Sequence, residues 1–411
     1  MESGARWRGR ALCAGAAGRQ APVADASAGR PPNPASLPAV TGDRSLVVVG
    51  AGVFGASVAR HCALAGWDVV LVERIAPGHV RAGSGDESRI IRCCHGPHVS
   101  HTRSARRAWA LWHEIDPRLV VPCGVAWMAR RDDGWEATGE EVLRSEGIPT
   151  QRVDARDLFP SVAYDDLRFT LFEPEAGILR ARQAVGVLAQ QAVEAGAELV
   201  LAEARPDGAA AVLDDGRRLE ADRVVWACGA WLGPLFPRHV QLRITHQDVF
   251  YFAASAAWRT PGVPGWVDYE AAAYGLGDLD GRGVKAAPDG EGPECDPDAL
   301  ERVALPEHER LARAYLAHRF PALAGAPLIG HRACQYEVTA DTQFVIAPHP
   351  EHDGRVWLMG GGSGHGFKQG PALAERMEGW LTGAEDPDPS FALGERTADL
   401  SLRTAGFNTQ P

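Results

Sequence analysis

Two glycine-rich turns, about three hundred residues apart, carry the groups of this chain best suited to chemistry. The first, Gly50-Ala51-Gly52-Val53-Phe54-Gly55, follows the apolar run Ser45–Val49 and opens a stretch of helical spacing from Ala56 to Ala65, closed by Gly66. A strand, a tight turn and a helix start gather free N–H groups and the positive end of a helix dipole at one spot, where a pyrophosphate can sit. The run Asp68–Val72 then ends at Glu73, 23 residues beyond Gly50. That is the place for an acid that accepts from an adenosine ribose. In this strand–turn–helix–strand–acid setting the pattern indicates a dinucleotide site; the plainer reading is a βαβ unit whose glycines serve packing alone. The second turn, Gly361-Gly362-Ser363-Gly364-His365-Gly366-Phe367-Lys368, follows Val356–Met359 and opens a helical stretch, Pro371 to Leu381. It ends in a cation, and with the phosphates already accounted for it needs another task.

The elements that must hold these turns can be read along the chain. With 411 residues there is room for two domains or one large one. A net charge of −11 argues against nucleic acid as a partner, and no apolar run approaches the ~20 residues that span a bilayer. Eight cysteines without a Cys-x-x-Cys pair read as reduced thiols of a cytoplasmic protein. Residues 1–42, rich in Ala, Gly, Pro and Arg, read as a disordered leader, with a targeting sequence the less favoured alternative. Ala181 to Ala195 is helical in spacing, Glu198–Leu201 a strand, and Ala209–Leu213 with Arg217–Leu219 a hairpin around Asp214-Asp215-Gly216. The buried run Asp222 to Trp231 returns the chain to the first sheet. Segments 126–176 and 241–330 are less periodic and read as mixed strands and loops, with Asp278–Pro297 a loop or lid. The expected fold is therefore α/β. A Rossmann-like domain is assembled from 43–125, 177–240 and 331–383, an antiparallel-sheet α+β domain from 126–176 and 241–330 covers it, and 384–411 forms a tail.

Both turns, with Ser88-Arg89-Ile90-Ile91-Arg92, Gly229-Ala230-Trp231 and Cys334-Gln335-Tyr336 between them, occur in an order that resembles the monomeric sarcosine oxidase family, flavoenzymes of the D-amino-acid-oxidase superfamily. The likeness runs from about Ser45 to about Gly383. It implies a monomeric FAD enzyme that oxidises a secondary or N-methyl amino acid to an imine and reduces oxygen to hydrogen peroxide. It places Gly50, Gly52, Val53, Phe54, Gly55, Glu73 and Arg74 on the dinucleotide, and Ser88, Arg89, Gly362, Gly364, His365, Gly366, Phe367 and Lys368 around the flavin. Cys334 resembles the family's covalent flavin link, a sensible role because a thiolate is a soft nucleophile and an oxidised flavin is electron-poor. Arg92 and Lys368 match a clamp for the substrate carboxylate, the guanidinium as a fork and the ammonium as a point charge. Tyr274 matches a tyrosine of the substrate pocket. Lys285, eleven residues on, matches a lysine whose charge helps oxygen accept electrons. Each has a bland alternative: a buried structural thiol, surface cations, a packed tyrosine.

Two departures from the family bear on the substrate. Asp289 stands four residues after Lys285, where sarcosine oxidases carry a histidine, and Gly83-Ser84-Gly85-Asp86-Glu87 is one residue shorter and lacks the family's histidines. A carboxylate at 289 can pair with a substrate ammonium but disfavours its deprotonation. Two alternatives stay open: a D-amino-acid or glycine oxidase-like enzyme or a carrier-linked dehydrogenase on the same fold, and a flavin-binding protein that has lost catalysis. Cys93, Cys94, His95, His98 and His101 form a dense group of ligand types, but their spacing fits no zinc pattern and no metal is expected.

Overall fold

The computed structural model describes residues 44–399 and Leu402. The leader expected over 1–42 lies outside the described residues, as does the tail beyond 402. Ser45–Val49 is apolar on both faces because it runs at the centre of a six-stranded sheet, buried throughout. Its neighbours are Arg223–Trp226 on one side and Asp68–Glu73 on the other, both parallel, with Val47 opposite Val224 and Val70. Glu198–Leu201 extends the sheet beyond Asp68–Glu73, and Val356–Gly360 and the antiparallel Val345–Pro348 extend the other edge. Helix Val53–Leu64 packs against Ala181–Glu194 and Gly370–Thr382. Leu46, Val48, Ala59, Leu188, Met377 and Trp380 meet there in one core.

The second large sheet has eight strands in the order 328–338, 243–252, 284–288, 273–276, 265–268, 125–129, 169–173, 151–153. All its pairs are antiparallel except Gly265–Asp268 with Val125–Ala129. Phe250, Phe252, Trp266 and Phe320 fill the core on one face, beneath helix Pro306–Arg319. A small three-stranded sheet joins Arg89–Ile91 to Gly177–Leu179 and Val120–Val121, fixing the segment that carries Arg89 and Arg92.

Several local expectations change. Asp278–Pro297 is not a loop throughout: Val284–Pro288 is a strand paired on both sides. Its short apolar run is flanked by Gly281 and Gly283 at positive φ, and those turn residues outweighed it in the sequence. Leu328–Val338 is a single strand of 11 residues, so the boundary drawn between 330 and 331 falls inside it and Cys334 rides on the eight-stranded sheet. Helices Val99–Ile115 and Trp135–Ser145 appear where no helix was singled out. Beyond 384 the chain returns to the first core, where Phe391 is buried against Phe344 and Trp380.

Candidate functional site

The first turn separates two duties of its glycines. Gly50 has φ +103°, its N–H donates to Val72 O at 2.7 Å, and a Cβ there would stand 2.5 Å from Ala227 O. A Cβ on Gly55 would stand 1.9 Å from Gly50 O. Both are therefore required by strand–helix packing. Gly52 differs: its Cβ would meet only Ser84 Oγ, at 3.4 Å. Open space lies before it, at a helix start that no side chain of the N-cap residue closes. Ser84 Oγ accepts the Val53 N–H at 3.1 Å. Glu73 Oε2 accepts the Ala51 N–H at 2.8 Å and Oε1 the Ile75 N–H at 3.0 Å, so the acid braces the turn. Burial alone would raise its carboxyl, but hydrogen bonds from His79, Ile75 and Ala51 outweigh that and hold it below the usual range.

A cleft of about 410 Å³ opens along both turns. Around the first, its wall includes Gly50, Gly52, Val53, Glu73 and Arg74, with Arg74 over the Trp231 ring at 4.6 Å and bonded to Asp298 at 2.9 Å. Around the second it includes Phe54, Arg89, Tyr336, Glu337, Gly362, Gly364, Gly366 and Phe367. Here again glycine is a matter of space, since a Cβ on Gly366 would lie 2.8 Å from Phe54 Cζ. The second turn hangs on the neighbouring strand: Gly362 N–H donates to Glu337 Oε1 at 3.3 Å and Ser363 N–H to Glu337 O at 3.1 Å. It leads through Phe367–Gln369 into helix Gly370–Thr382.

Behind this wall lies a buried charge cluster. Lys285 Nζ donates to Asp86 Oδ2 at 2.5 Å and to Ser88 O at 3.1 Å, and lies 3.4 Å from Ser88 Oγ. Arg89 donates to the same Asp86 Oδ2 at 2.9 Å, and the Tyr251 hydroxyl to Oδ1 at 2.8 Å. Burial opposes ionising Asp86, yet Lys285 and Arg89 overturn it and hold the carboxyl well below its usual range. Burial pulls Lys285 down, and Asp86 opposes that pull. Lys285 also lies over the Tyr274 ring, 5.8 Å from its centre. Tyr274 is hydrogen-bonded with Tyr336, whose hydroxyl in turn lies 3.5 Å from Asp289 Oδ1.

Arg92 rests over the Trp127 ring at 4.7 Å and donates to Cys94 O. Lys368, buried, donates to His365 O at 2.7 Å, and its own carbonyl accepts from Trp112. Burial, and then the charge of Arg92, pull Lys368 well below its ordinary range. Glu173 accepts from Cys93 N–H at 2.8 Å and Trp127 Nε1 at 2.7 Å, and burial still raises its carboxyl.

Of the residues singled out in the sequence, Gly50, Gly52, Val53, Phe54, Glu73, Arg74, Arg89, Gly362, Gly364, Gly366 and Phe367 line the cleft. Gly55, Ser88, His365, Lys368, Lys285, Arg92 and Tyr274 are not among the residues of its wall, and Cys334 lines a separate cavity of about 610 Å³ with Gly85 and Asp86. The Cys334 thiol sits 3.8 Å from the carbonyl of Gly83, a residue of the cleft wall, and burial raises it. His365 turns its Nε2 to Thr342 O at 2.8 Å and stacks on Phe344. Sequence reasoning missed Ser84, Tyr336, Glu337 and, above all, the role of Asp86. The last sat in plain view between two glycines and an Arg, but nothing local shows that its partner lies 199 positions away. His95 and His101 are bonded to Cys93 O and Gln343. Among the described residues the group of ligand types within mutual reach is instead His239, His349 and Glu351.

The family described as FAD dependent oxidoreductase matches residues 45–380. A monomeric sarcosine oxidase of Streptomyces avermitilis is 30% identical over 356 residues, 80% of this chain and 91% of that protein. An N-methyl-L-tryptophan oxidase of Yersinia pestis is 26% identical over 360 residues, 81% and 93% of the two chains. Among solved structures, the modified fructosyl peptide oxidase from Aspergillus nidulans superposes with a TM-score of 0.77 at 17% identity, covering 89% of this chain and 97% of that one. L-proline dehydrogenase from P. horikoshii gives 0.75 at 19%, covering 86% and 96%. These two likenesses are of fold.

Proposed function

The chain belongs to the FAD-dependent oxidoreductases, and from that premise we propose that it oxidises a secondary or N-methyl amino acid to an imine, with oxygen reduced to hydrogen peroxide. The cleft fits the cofactor: an open glycine at a helix start suits a pyrophosphate, and Glu73 stands beside it for a ribose. FAD supplies the acceptor for hydride equivalents from the α-carbon or N-methyl carbon, and returns the electrons to oxygen.

The chain's own residues do the rest. Arg92 and Lys368 hold the substrate carboxylate, and this pairing carries the proposal: the half-buried Arg92 over Trp127 and the buried Lys368 are hydrogen-bonded to the backbone carbonyls of Cys94 and His365. Tyr336 and Tyr274 form the polar wall leading to Asp289, which receives the substrate nitrogen. A substrate whose amine binds neutral needs no further base, so a carboxylate at 289 is compatible with turnover. Trp127 lies under Arg92, with Trp135 tilted against it and Tyr269 stacked on Trp135, an aromatic group that favours an apolar or aromatic side chain. Water hydrolyses the imine, releasing formaldehyde from an N-methyl substrate. Cys334, whose thiol lies 3.8 Å from the carbonyl of the cleft-wall residue Gly83, would be the residue to carry a covalent link to the flavin.

The test is anaerobic mixing of the FAD-loaded protein with sarcosine, N-methyl-tryptophan, proline and D-amino acids. Loss of yellow absorbance with an N-methyl or secondary amino acid supports the reading; bleaching by D-amino acids alone replaces it. Flavin that remains on the polypeptide after acid denaturation supports the Cys334 link, and complete release removes it. A second reading keeps the amine chemistry and sends electrons to a carrier. It rests on Lys285, whose ammonium is already matched by Asp86 and Ser88. Lys285→Met separates the two: oxygen-dependent reoxidation collapses in an oxidase and is unchanged in a carrier-linked enzyme.

A further inference from the structure

Among the described residues, Glu337 is the acidic side chain lining the cleft beside the second glycine turn. Its Oε1 takes the Gly362 N–H at 3.3 Å, and its Oε2 lies 3.5 Å from where a Gly83 Cβ would stand, so two glycines make room for it. No ion pair within 4.0 Å reaches it among the described residues. Arg89 is the cation that bears on it, but Arg89 is committed to Asp86, Ser88 O and Gly83 O. From the glycine turn, His365 and Lys368 point their polar atoms at Thr342 O and His365 O instead. Its strand neighbours Gln335 and Tyr336 are neutral. A cleft-lining carboxyl with one long hydrogen bond from the facing turn and no ion-pair partner is a poor structural element. It is well suited to a group whose charge changes during turnover.

We propose that Glu337 faces the redox-active end of FAD and takes up one solvent proton when the cofactor gains its two electrons. This rests on the cofactor occupying the cleft as argued above. Gly52, which would hold the phosphates, shares one cleft with Gly362, Gly366 and Glu337, which would hold the flavin end. The two electrons come from the substrate, the negative charge gained raises the proton affinity of the neighbouring carboxyl, and the proton comes from water; on reoxidation it returns there. Burial, only partly offset by its own N–H, the Gly362 N–H and Arg89, pushes the carboxyl up to about 7, where such an exchange operates at working pH.

The test is the reduction potential of the FAD-loaded protein as a function of pH, for the native chain and Glu337→Gln, which keeps an acceptor for Gly362 N–H. The two curves should coincide below the carboxyl's range and diverge above it. Across that range the native reduction equilibrium should fall by up to a further tenfold per pH unit, about 30 mV for a two-electron couple. The oxidised absorption band should shift with pH in the native protein and not in the variant, and Glu337→Asp should restore a pH-dependent band. Parallel potential curves, or a band unmoved by pH in the native protein, overturn the proposal. An FAD-loaded protein that bleaches with none of the amines but shows the divergence supports it while removing the proposed substrate.

Discussion

Replacing Asp86 by Asn keeps the shape of the side chain and removes the charge that Lys285, Arg89 and Tyr251 share. Breaking a buried ion pair by deleting one partner costs about 3–5 kcal/mol, because the surviving charge stays buried. Lys285 has no exposed surface, so it has no water to fall back on. It escapes by losing its proton. Its pKa, already lowered by burial, then falls further because the opposing attraction of Asp86 is gone. The sign follows: a lysine depressed in the folded state binds fewer protons than in the unfolded chain. Stability therefore rises with pH up to the unfolded value near 10.4. In Asp86→Asn that rise should begin at lower pH than in the native chain, at about 1.4 kcal/mol per pH unit. Urea unfolding at a series of pH values reads both effects. A midpoint at pH 7 well below the native one, and a gap that narrows as pH rises, are the expected results. Lys285→Met combined with Asp86→Asn should recover part of the loss, because only Arg89 is then left unmatched. A single variant with native stability and native pH dependence would refute the assignment of an ionic Asp86–Lys285 pair.

The two duties of the first turn predict different phenotypes. Gly55→Ala, whose Cβ would stand 1.9 Å from Gly50 O, should fail to accumulate as folded protein by circular dichroism. Gly52→Ala should fold normally and lose FAD affinity by calorimetric titration of the apoprotein, since only the space before the helix start is taken. Arg92→Gln should raise KM for an amino-acid substrate far more than it lowers kcat; an equal effect on the corresponding decarboxylated amine would remove its role on the carboxylate. Glu73→Gln should weaken FAD and also lower stability by about 1–3 kcal/mol, because the acid braces Ala51 and Ile75 in addition to facing the cleft.

What the sequence disclosed and what it withheld divide along contact range. The parallel sheet was legible because a strand buried on both faces is apolar throughout, and Ser45–Val49 and Val356–Gly360 are such strands. Turns were legible because left-handed backbone selects glycine, as at Gly50 and Gly361. Helix Val99–Ile115 was obscured by His98, His101 and the preceding cysteines, which drew attention as ligand types while serving as packing and hydrogen-bond partners. The strand Val284–Pro288 was hidden by its glycine-rich flanks, yet it delivers Lys285 to Asp86. Glu337 gave no signal at all: on a strand of alternating faces, only the neighbour at Gly362 shows that this residue meets the cleft.

In the proposed reading, charge balance favours a zwitterionic substrate. Four cations gather near the two turns: Arg89, Arg92, Lys285 and Lys368. Asp86 is held ionised and serves both Lys285 and Arg89. Glu173 and Glu337 are pushed toward their neutral forms by burial, so neither fully offsets a neighbouring cation. Asp289 acts on Arg92 from the side of Tyr336. In the proposed reading Arg92 and Lys368 face the substrate carboxylate, and Asp289, beside Tyr336, faces its nitrogen. A zwitterion satisfies both ends at once, its carboxylate at the cations and its nitrogen at Asp289. A simple amine satisfies only the second, and a simple acid only the first. On this proposal, selection for amino acids depends on the charge that Asp86 supplies to Lys285 and Arg89 and on the aspartate at 289.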